Sequence, residues 1–324
     1  MKNIPTLRQL RYLVAVEETR HFGRAAEACL VTQSTLSAGI QELESLLGVR
    51  LIERRSRRQV VFTPLGEDIV ERARGLLADA ESLVDTAKAG AEPLAGELRL
   101  GVIPTIGPYL VPGLLQRLAQ DYPNLKLFLR EDQSSELLSR LNGGRLDVAL
   151  MALPYALGDL PHMEVGREDL VVALPNGHDL AALDRVPVTA LEEASLLMLE
   201  DGHCLRDHSI EACGLANRGG QRNEAYQATS LSTLVQMVAG GIGITLLPRI
   251  STRVEGRAGA PIVLKNLQDV GPARTLVLVW RAANPRARDF RLLGEVVKAE
   301  VAEALKNAAK QGGDTGSPAP ISVE

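Results

Sequence analysis

Up to Phe62 the apolar positions recur at helical spacing. Leu7, Leu10, Leu13, Val14 and Val16 form one stripe, with Arg8, Arg11 and Glu18 between them, and predict a first helix. Phe22 and Gly23 interrupt it. Residues 24–30, rich in alanine, predict a second, short helix whose small side chains admit a close neighbour. Thr32 is placed to N-cap a third helix running to about Leu47, because its hydroxyl accepts from an orphan amide of the first turn. Leu36, Ile40, Leu43 and Leu47 make the buried stripe of that helix. Gln33, Ser34, Thr35, Ser37 and Gln41 face outward, and Gly48 ends it. Two short helices joined by a tight turn form a helix-turn-helix, whose second helix sets its N-terminal polar side chains on base edges in the major groove. Residues 51–62 then read as two short strands around a basic turn. Arg54, Arg55, Arg57 and Arg58 fall within it and can reach phosphates or a narrow minor groove.

Thr63 followed by Pro64 is a helix start. Ile69, Ala73, Leu76, Ala80, Leu83 and Ala87 alternate four- and three-residue steps, the seam of a coiled coil; the same stripe also fits packing on its own domain. Residues 89–93 break the helix. From Gly96 the texture changes to strand (97–103), helix (109–121), strand (126–130), helix (134–141) and strand (146–151), which predicts a parallel sheet with right-handed crossovers. Short apolar runs at 170–174, 195–199 and 244–247 predict a second sheet, and 276–280 returns to the first lobe or pairs beside it. A last helix over about 289–309 carries Leu292, Val296, Val297, Val301 and Leu305. Gly241-Ile242-Gly243 lacks a third glycine and follows a helix, so it is no dinucleotide fingerprint.

Length and charge sharpen this picture. A chain of 324 residues accommodates two to three domains. Aromatics are only 3%, which argues against stacking-based binding of single strands. Residues 1–62 hold ten Lys/Arg against six Asp/Glu, a net +4; with −4 for the whole chain, the rest carries −8. A basic head on an acidic body points to an anionic partner for the head, nucleic acid first. No stretch approaches the roughly 20 apolar residues of a membrane helix, and no signal-peptide core stands near Met1, so a cytoplasmic protein without membrane contact is expected. Three cysteines make no disulfide framework. No metal or other cofactor is expected.

The head resembles the winged helix-turn-helix of LysR-type transcriptional regulators. The likeness is carried by Leu7-Arg8-Gln9-Leu10, Phe22-Gly23-Arg24-Ala25-Ala26, Gln33-Ser34-Thr35-Leu36-Ser37, Leu43-Glu44, Leu51-Ile52-Glu53-Arg54 and Phe62-Thr63-Pro64-Leu65-Gly66, in that order and spacing. Ser34 stands where the family often has proline. The body, through residues 141–150 and 240–248, is similar to the family's periplasmic-binding-protein-like regulatory domain. The resemblance implies an α/β protein: a winged helix-turn-helix over 1–62, a long linker and dimerisation helix with a hinge over 63–92, a two-lobed α/β regulatory domain over 93–310, and a disordered tail over 311–324. It also implies a dimer of dimers on double-stranded promoter DNA, working with RNA polymerase. Gln33, Ser34, Thr35, Ser37, Arg54 and Arg57 are the expected DNA contacts.

The cysteines carry the remaining chemistry. Cys29, among alanines, reads as a small buried hydrophobe. Glu200-Asp201-Gly202 is a turn and the composition after it is helical, so Cys204 falls at or near a helix N-terminus. Unpaired amides and the helix dipole favour a thiolate there, and Arg206 or a protonated His203 adds positive charge. Cys213 falls near the other end. Nine helical residues span about 13 Å, whereas a disulfide needs Cα atoms within about 7 Å, so if the segment is helical the two join only when it unwinds or folds back. Two inert buried thiols fit the same residues. Residues 202–207 with Cys213, together with 102–110 and 197–200, resemble the peroxide-sensing OxyR group of the LysR family. That resemblance implies hydrogen peroxide as the signal, Cys204 as the peroxidatic and Cys213 as the resolving cysteine, and a cellular dithiol as reductant. It implies a pocket of Thr105, Ser134, His203 and Arg206, with Ser134 where threonine is familiar. Residues 217–222 depart from the group's pattern, and the likeness fades after about Arg274. Two other readings remain: a LysR-type regulator binding a small organic acid between the lobes, and a thiol peroxidase, which the DNA-binding head argues against. A regulator rather than an enzyme is expected.

Overall fold

The computed structural model describes residues 4–56, 59–89, 92–191, 194–212, 222–257, 261–268 and 273–311. Helix α1 (Leu7–Thr19) starts in a reciprocal capping box: Thr6 accepts from the Gln9 amide, and the Gln9 side chain reaches back to the Thr6 backbone. Helix α2 spans Phe22–Ala28. It therefore contains the Phe22 and Gly23 that the apolar pattern reads as an interruption. The signal lay in His21, whose Nδ1 accepts from the Gly23 and Arg24 amides at 3.1 and 3.2 Å and substitutes for the usual serine or aspartate cap. Helix α3 (Gln33–Leu47) is capped by Thr32 and ends at Gly48, whose φ of 69° is the left-handed conformation that glycine adopts without strain. Strands β1 (Ile52–Ser56) and β2 (Gln59–Phe62) pair antiparallel as the wing. Helix α4 (Pro64–Ala89) follows.

The stripe along α4 divides. Val70 and Ala73 are buried in the head's own core with Leu13, Val16 and Leu36, and Ile69 and Leu77 pack against it. Leu76 and Leu83 are more than half exposed, and Val84 nearly so. The first turns thus belong to the head, and the later ones present apolar surface outward. Farther along, α4 rests on the body: Arg281 donates to Asp79 Oδ1 at 3.0 Å and to the Leu141 carbonyl at 2.7 Å.

In the body, β3 (Gly96–Val102), α5 (Gly107–Asp121), β4 (Leu125–Glu131), α6 (Ser134–Asn142) and β5 (Val148–Leu153) form the expected alternation, with β3 parallel to both β4 and β5. Strand β6 (His162–Pro175) is followed by β7 (Arg185–Val186), β8 (Leu196–Leu199), α7 (Cys204–Ala212), β9 (Arg222–Ala228), α8 (Leu231–Ala239), β10 (Thr245–Pro248), α9 (Thr252–Glu255), β11 (Ile262–Leu267), β12 (Ala273–Trp280) and α10 (Ala287–Gln311). The main sheet runs β4-β3-β5-β12-β6-β11-β7, with β10 on β6, and β8 pairs with β9. Strand β12 is antiparallel to both β5 and β6, so it returns to the first lobe.

Two apolar cores define two lobes. One gathers Leu98, Leu100, Val148–Met151 and Leu276–Trp280 under α5, α6 and α10; the other gathers Leu170–Leu174, Leu196–Leu199, Leu234 and Leu246. The apolar run at 170–174 is not a separate strand of a second sheet. It is the second half of β6, which at 14 residues reaches about 46 Å and serves both lobes. Gly166-Arg167-Glu168 makes the middle of β6 look like a loop in the sequence, yet Glu168 is buried there because a buried arginine faces it.

Candidate functional site

Cys204 is the first residue of α7, so the orphan amides of that helix end surround its backbone. It is buried, as are His203 and Leu205. The turn before it is set by Gly202 at φ 96°, a conformation that side-chain-bearing residues rarely adopt. Thr105 follows β3 and Ser134 opens α6; both are buried polar residues of the first lobe. The fold thus brings three of the expected pocket residues to the Cys204 end of α7: Thr105, Ser134 and His203.

Two residues of this site lie outside the sequence expectation. Arg274, at the start of β12, and Glu168, on β6, are each fully buried and bonded to one another. Arg274 donates from Nε to Glu168 Oε1 at 2.8 Å, from Nη1 to Thr105 Oγ1 at 2.7 Å and from Nη2 to the Thr105 carbonyl at 3.0 Å. The second Glu168 oxygen accepts from the Ile250 amide at 2.9 Å. The sequence holds a faint signal for the pair, namely opposite charges at the same offset, two residues before each of two apolar strand runs, 170–174 and 276–280.

Burial raises the Cys204 thiol above its ordinary value of 9.0; the positive field of Arg274 and the Ser134 hydroxyl pull the other way, Asp207 adds to the rise, and the Leu205 amide lowers it. The cation acting on the thiol is therefore Arg274, in place of the Arg206 or protonated His203 that helix position suggested. Arg206 donates to the Leu199 carbonyl at 3.2 Å and pairs with Asp201 at 2.8 Å. Burial holds His203 below its ordinary 6.5, with Glu200 opposing that shift from 3.9 Å, so at neutral pH it is an uncharged donor or acceptor. Ser134 Oγ is buried with no partner of hydrogen-bonding geometry. Its hydroxyl nevertheless acts on the Cys204 thiol as a hydrogen-bonding group and favours the thiolate.

Cys213 lies outside the described residues. Helix α7 carries Ala212 eight residues beyond Cys204, about 12 Å along the helix axis. Cys29 closes α2, is only partly buried, and places Sγ 4.0 Å from the Arg11 carbonyl; burial is the first cause raising its thiol.

A cleft of about 740 Å³ flanks α7, lined by Pro154, Tyr155, Arg167, Asp207, His208 and Thr275 among others. His208 holds α7 to the Pro154 carbonyl at 2.8 Å. Burial raises the Tyr155 hydroxyl, and Cys204 and Asp207 add to the rise, which ties the cleft electrostatically to the thiol.

In the head, Gln33, Ser34 and Thr35 are exposed on the first turn of α3 and Ser37 is half-buried on the next. The Ser34 and Thr35 hydroxyls lie 2.9 and 2.8 Å from that of the capping Thr32. Gln33 is the polar side chain of this turn without a hydrogen bond among the described residues. Arg54 lies on β1, and Arg57 lies outside the described residues.

Residues 7–67 match the bacterial regulatory helix-turn-helix protein, lysR family, and residues 91–302 match the LysR substrate binding domain. The chain is 41% identical over 299 residues to the HTH-type transcriptional regulator EstR of Acinetobacter baylyi, covering 92% of this chain and 98% of that one. It is 39% identical over 305 residues to the DNA-binding transcriptional dual regulator OxyR of Escherichia coli K12, covering 94% and 99%. A solved structure of a Corynebacterium glutamicum OxyR cysteine-to-serine mutant with H2O2 bound matches with a TM-score of 0.69 at 34% identity, over 99% of this chain and 100% of that one. The winged head, the long helix and the two-lobed body are those of one family, and the chain belongs to the LysR family of helix-turn-helix transcriptional regulators.

Proposed function

We propose that this regulator senses hydrogen peroxide at Cys204 and controls oxidative-stress defence genes. The observation that carries the reading is Cys204 itself, a buried thiol at a helix N-terminus, in the field of Arg274 and beside the buried hydroxyl of Ser134. The thiolate attacks one peroxide oxygen and the O–O bond breaks. Sulfenic acid forms on Cys204, and the departing hydroxide takes a proton to become water. Thr105, His203 and Ser134 are the groups in reach to hold the peroxide and deliver that proton. The Cys213 thiol then displaces the sulfenic oxygen as a second water, leaving a Cys204–Cys213 disulfide, which a cellular dithiol reduces. The step is conformational, and the disulfide forms as the end of α7 unwinds.

The exposed later turns of α4 pair two chains, and the regulatory domains pair dimers. Unwinding α7 alters how those domains pack and so the spacing of heads along a two-part promoter site, where RNA polymerase is engaged. Interfaces hold discrete packings, so a local disulfide selects between global arrangements. Gln33, Ser34, Thr35 and Ser37 of α3, with Arg54 and Arg57 of the wing, contact the DNA. The deciding experiment is non-reducing peptide mapping after brief peroxide exposure, followed by footprinting of reduced and oxidised protein on one promoter. A Cys204–Cys213 peptide with a changed footprint supports the reading, and unreacted cysteines end it.

The cleft beside α7 favours a second reading. Arg167 is an exposed cation on its wall, without an ion pair among the described residues, suited to the carboxylate of a small organic acid. In that case thiol counts stay constant under peroxide while the acid alone alters DNA binding.

A further inference from the structure

The buried pair behind the thiol has more to it than support. Arg274 is a fully buried cation with a defined set of partners: Nε and Nη2 lie 2.8 Å from Glu168 Oε1, while Nη1 donates to the Thr105 hydroxyl and Nη2 also to the Thr105 carbonyl. Glu168 is held in turn by the Ile250 amide and sits in the β6–β12 ladder directly opposite Arg274. A buried guanidinium requires a counter-ion. The carboxylates of Glu255 and Glu131 act on Tyr109, and Glu255 accepts from Tyr109 and Ser232, each at 2.8 Å. On the thiol side Ser134, Asp207, Tyr155 and the Leu205 amide bring no cation. Among the described residues the Glu168 carboxylate is the group in ion-pair contact with Arg274, and the Cys204 thiol lies in the field of the same guanidinium.

We propose that Glu168 acts on Cys204 through Arg274, competing with the cysteine thiolate as counter-ion of one buried guanidinium and so holding the resting thiol in its protonated, slower form. Glu168 is thus a positioning residue with an attenuating effect. It fixes Arg274 against Thr105 while cancelling most of the field that would ionise the cysteine. The inference rests on Cys204 being the reactive thiol of the proposed sensor, but its test does not depend on peroxide.

The experiment is the pH profile of iodoacetamide alkylation at Cys204, followed by mass spectrometry of the Cys204 peptide in the reduced, full-length protein. In Glu168→Gln the carboxylate charge is gone and the guanidinium remains, so the midpoint should move down by about one pH unit and the rate at neutral pH rise roughly tenfold. Glu168→Asp withdraws the charge by one methylene on an unchanged ladder and should move the midpoint the same way, by roughly two- to threefold in rate. It keeps the test valid should the glutamine variant not fold. Arg274→Met should move the midpoint up. A structural role alone predicts the opposite for the two Glu168 variants, since a loosened Arg274 weakens the thiolate. Unchanged or raised midpoints in Glu168→Asp, or in a folded Glu168→Gln, overturn the proposal. A parallel peroxide titration separates the two questions. Wild-type protein that forms the disulfide while the Glu168 variants alkylate normally sinks this inference alone. Faster alkylation in chains that never react with peroxide upholds it and sinks the sensor.

Discussion

Replacing Gly202 by alanine tests how tightly the turn before the thiol is built. Gly202 holds φ 96°, and a Cβ there would stand 2.3 Å from Gln133 Oε1. The backbone strain alone costs about 1–3 kcal/mol. Gln133 can move aside only by giving up the bond its Nε2 donates to Glu200 Oε1 at 3.2 Å, which links the first lobe to the turn. Displacing it forfeits roughly 1 kcal/mol more. A total of about 3 kcal/mol lowers the melting temperature of a body this size by roughly 6–12 °C. The assay is thermal unfolding of reduced protein, with the rate of Cys204 alkylation measured in parallel, since a loosened turn opens the buried thiol. Gln133→Ala in the Gly202→Ala background should return the steric part and leave the strain, so the two substitutions must be non-additive. A melting temperature within 2 °C of wild type, or strict additivity, refutes the geometry.

Three further outcomes follow from the site and the head. After peroxide, Cys204→Ser should form no disulfide, and Cys213→Ser should leave a sulfenic acid that dimedone traps; a dominant disulfide containing Cys29 contradicts both. Gln33→Ala should lose about 1–3 kcal/mol on its operator and nothing on random DNA, whereas Arg54→Ala should weaken both and flatten the salt dependence by about one unit; anisotropy titrations over a salt series that show equal losses for Gln33→Ala refute base readout. The imidazole of His203 is depressed by burial, so the folded protein binds fewer protons there than the unfolded chain. Its contribution to stability is full above about pH 6.5 and is lost as pH falls from that value through the folded pKa. Urea midpoints should therefore drop more steeply below neutrality in wild type than in His203→Gln, and parallel slopes would remove the effect.

The head was largely legible because its determinants are local. Thr32 capping, the Leu36–Ile40–Leu43 stripe and Gly48 act within a few residues of one another, and α3 begins and ends where they require. The fold class of the body and the position of Cys204 at a helix start were legible for the same reason. Local reading failed where a partner far along the chain decides. His21 looks like an ordinary loop histidine until its ring caps α2. Residues 166–168 look like a break until Arg274, more than a hundred residues later, accounts for a buried glutamate and makes β6 continuous. The seam on α4 divided because the pattern records which residues are apolar and not how far the head extends to cover them. Arg206 was assigned to the thiol by proximity in sequence, while its guanidinium is spent on Asp201 and the Leu199 carbonyl.

Strand β6 also determines where the chain can change length. Successive residues of a strand face opposite ways, and here parity separates two chemistries: Arg167, paired with Thr275, lines the open cleft, while Glu168, paired with Arg274, lies in the dry interior. An insertion or deletion of one residue in β6 just before Arg167 exchanges the faces of the strand downstream, bringing Arg167 inward and sending Glu168 to solvent. The ladder already contains one such offset, an irregularity between Leu276 and Val277 opposite the Gly166–Glu164 stretch, where Val165 is the additional, buried residue. Loops between elements absorb added residues at little cost. Point substitutions can therefore accumulate along β6 one contact at a time, but descendants of this chain are barred from length drift in the one strand that both lobes share.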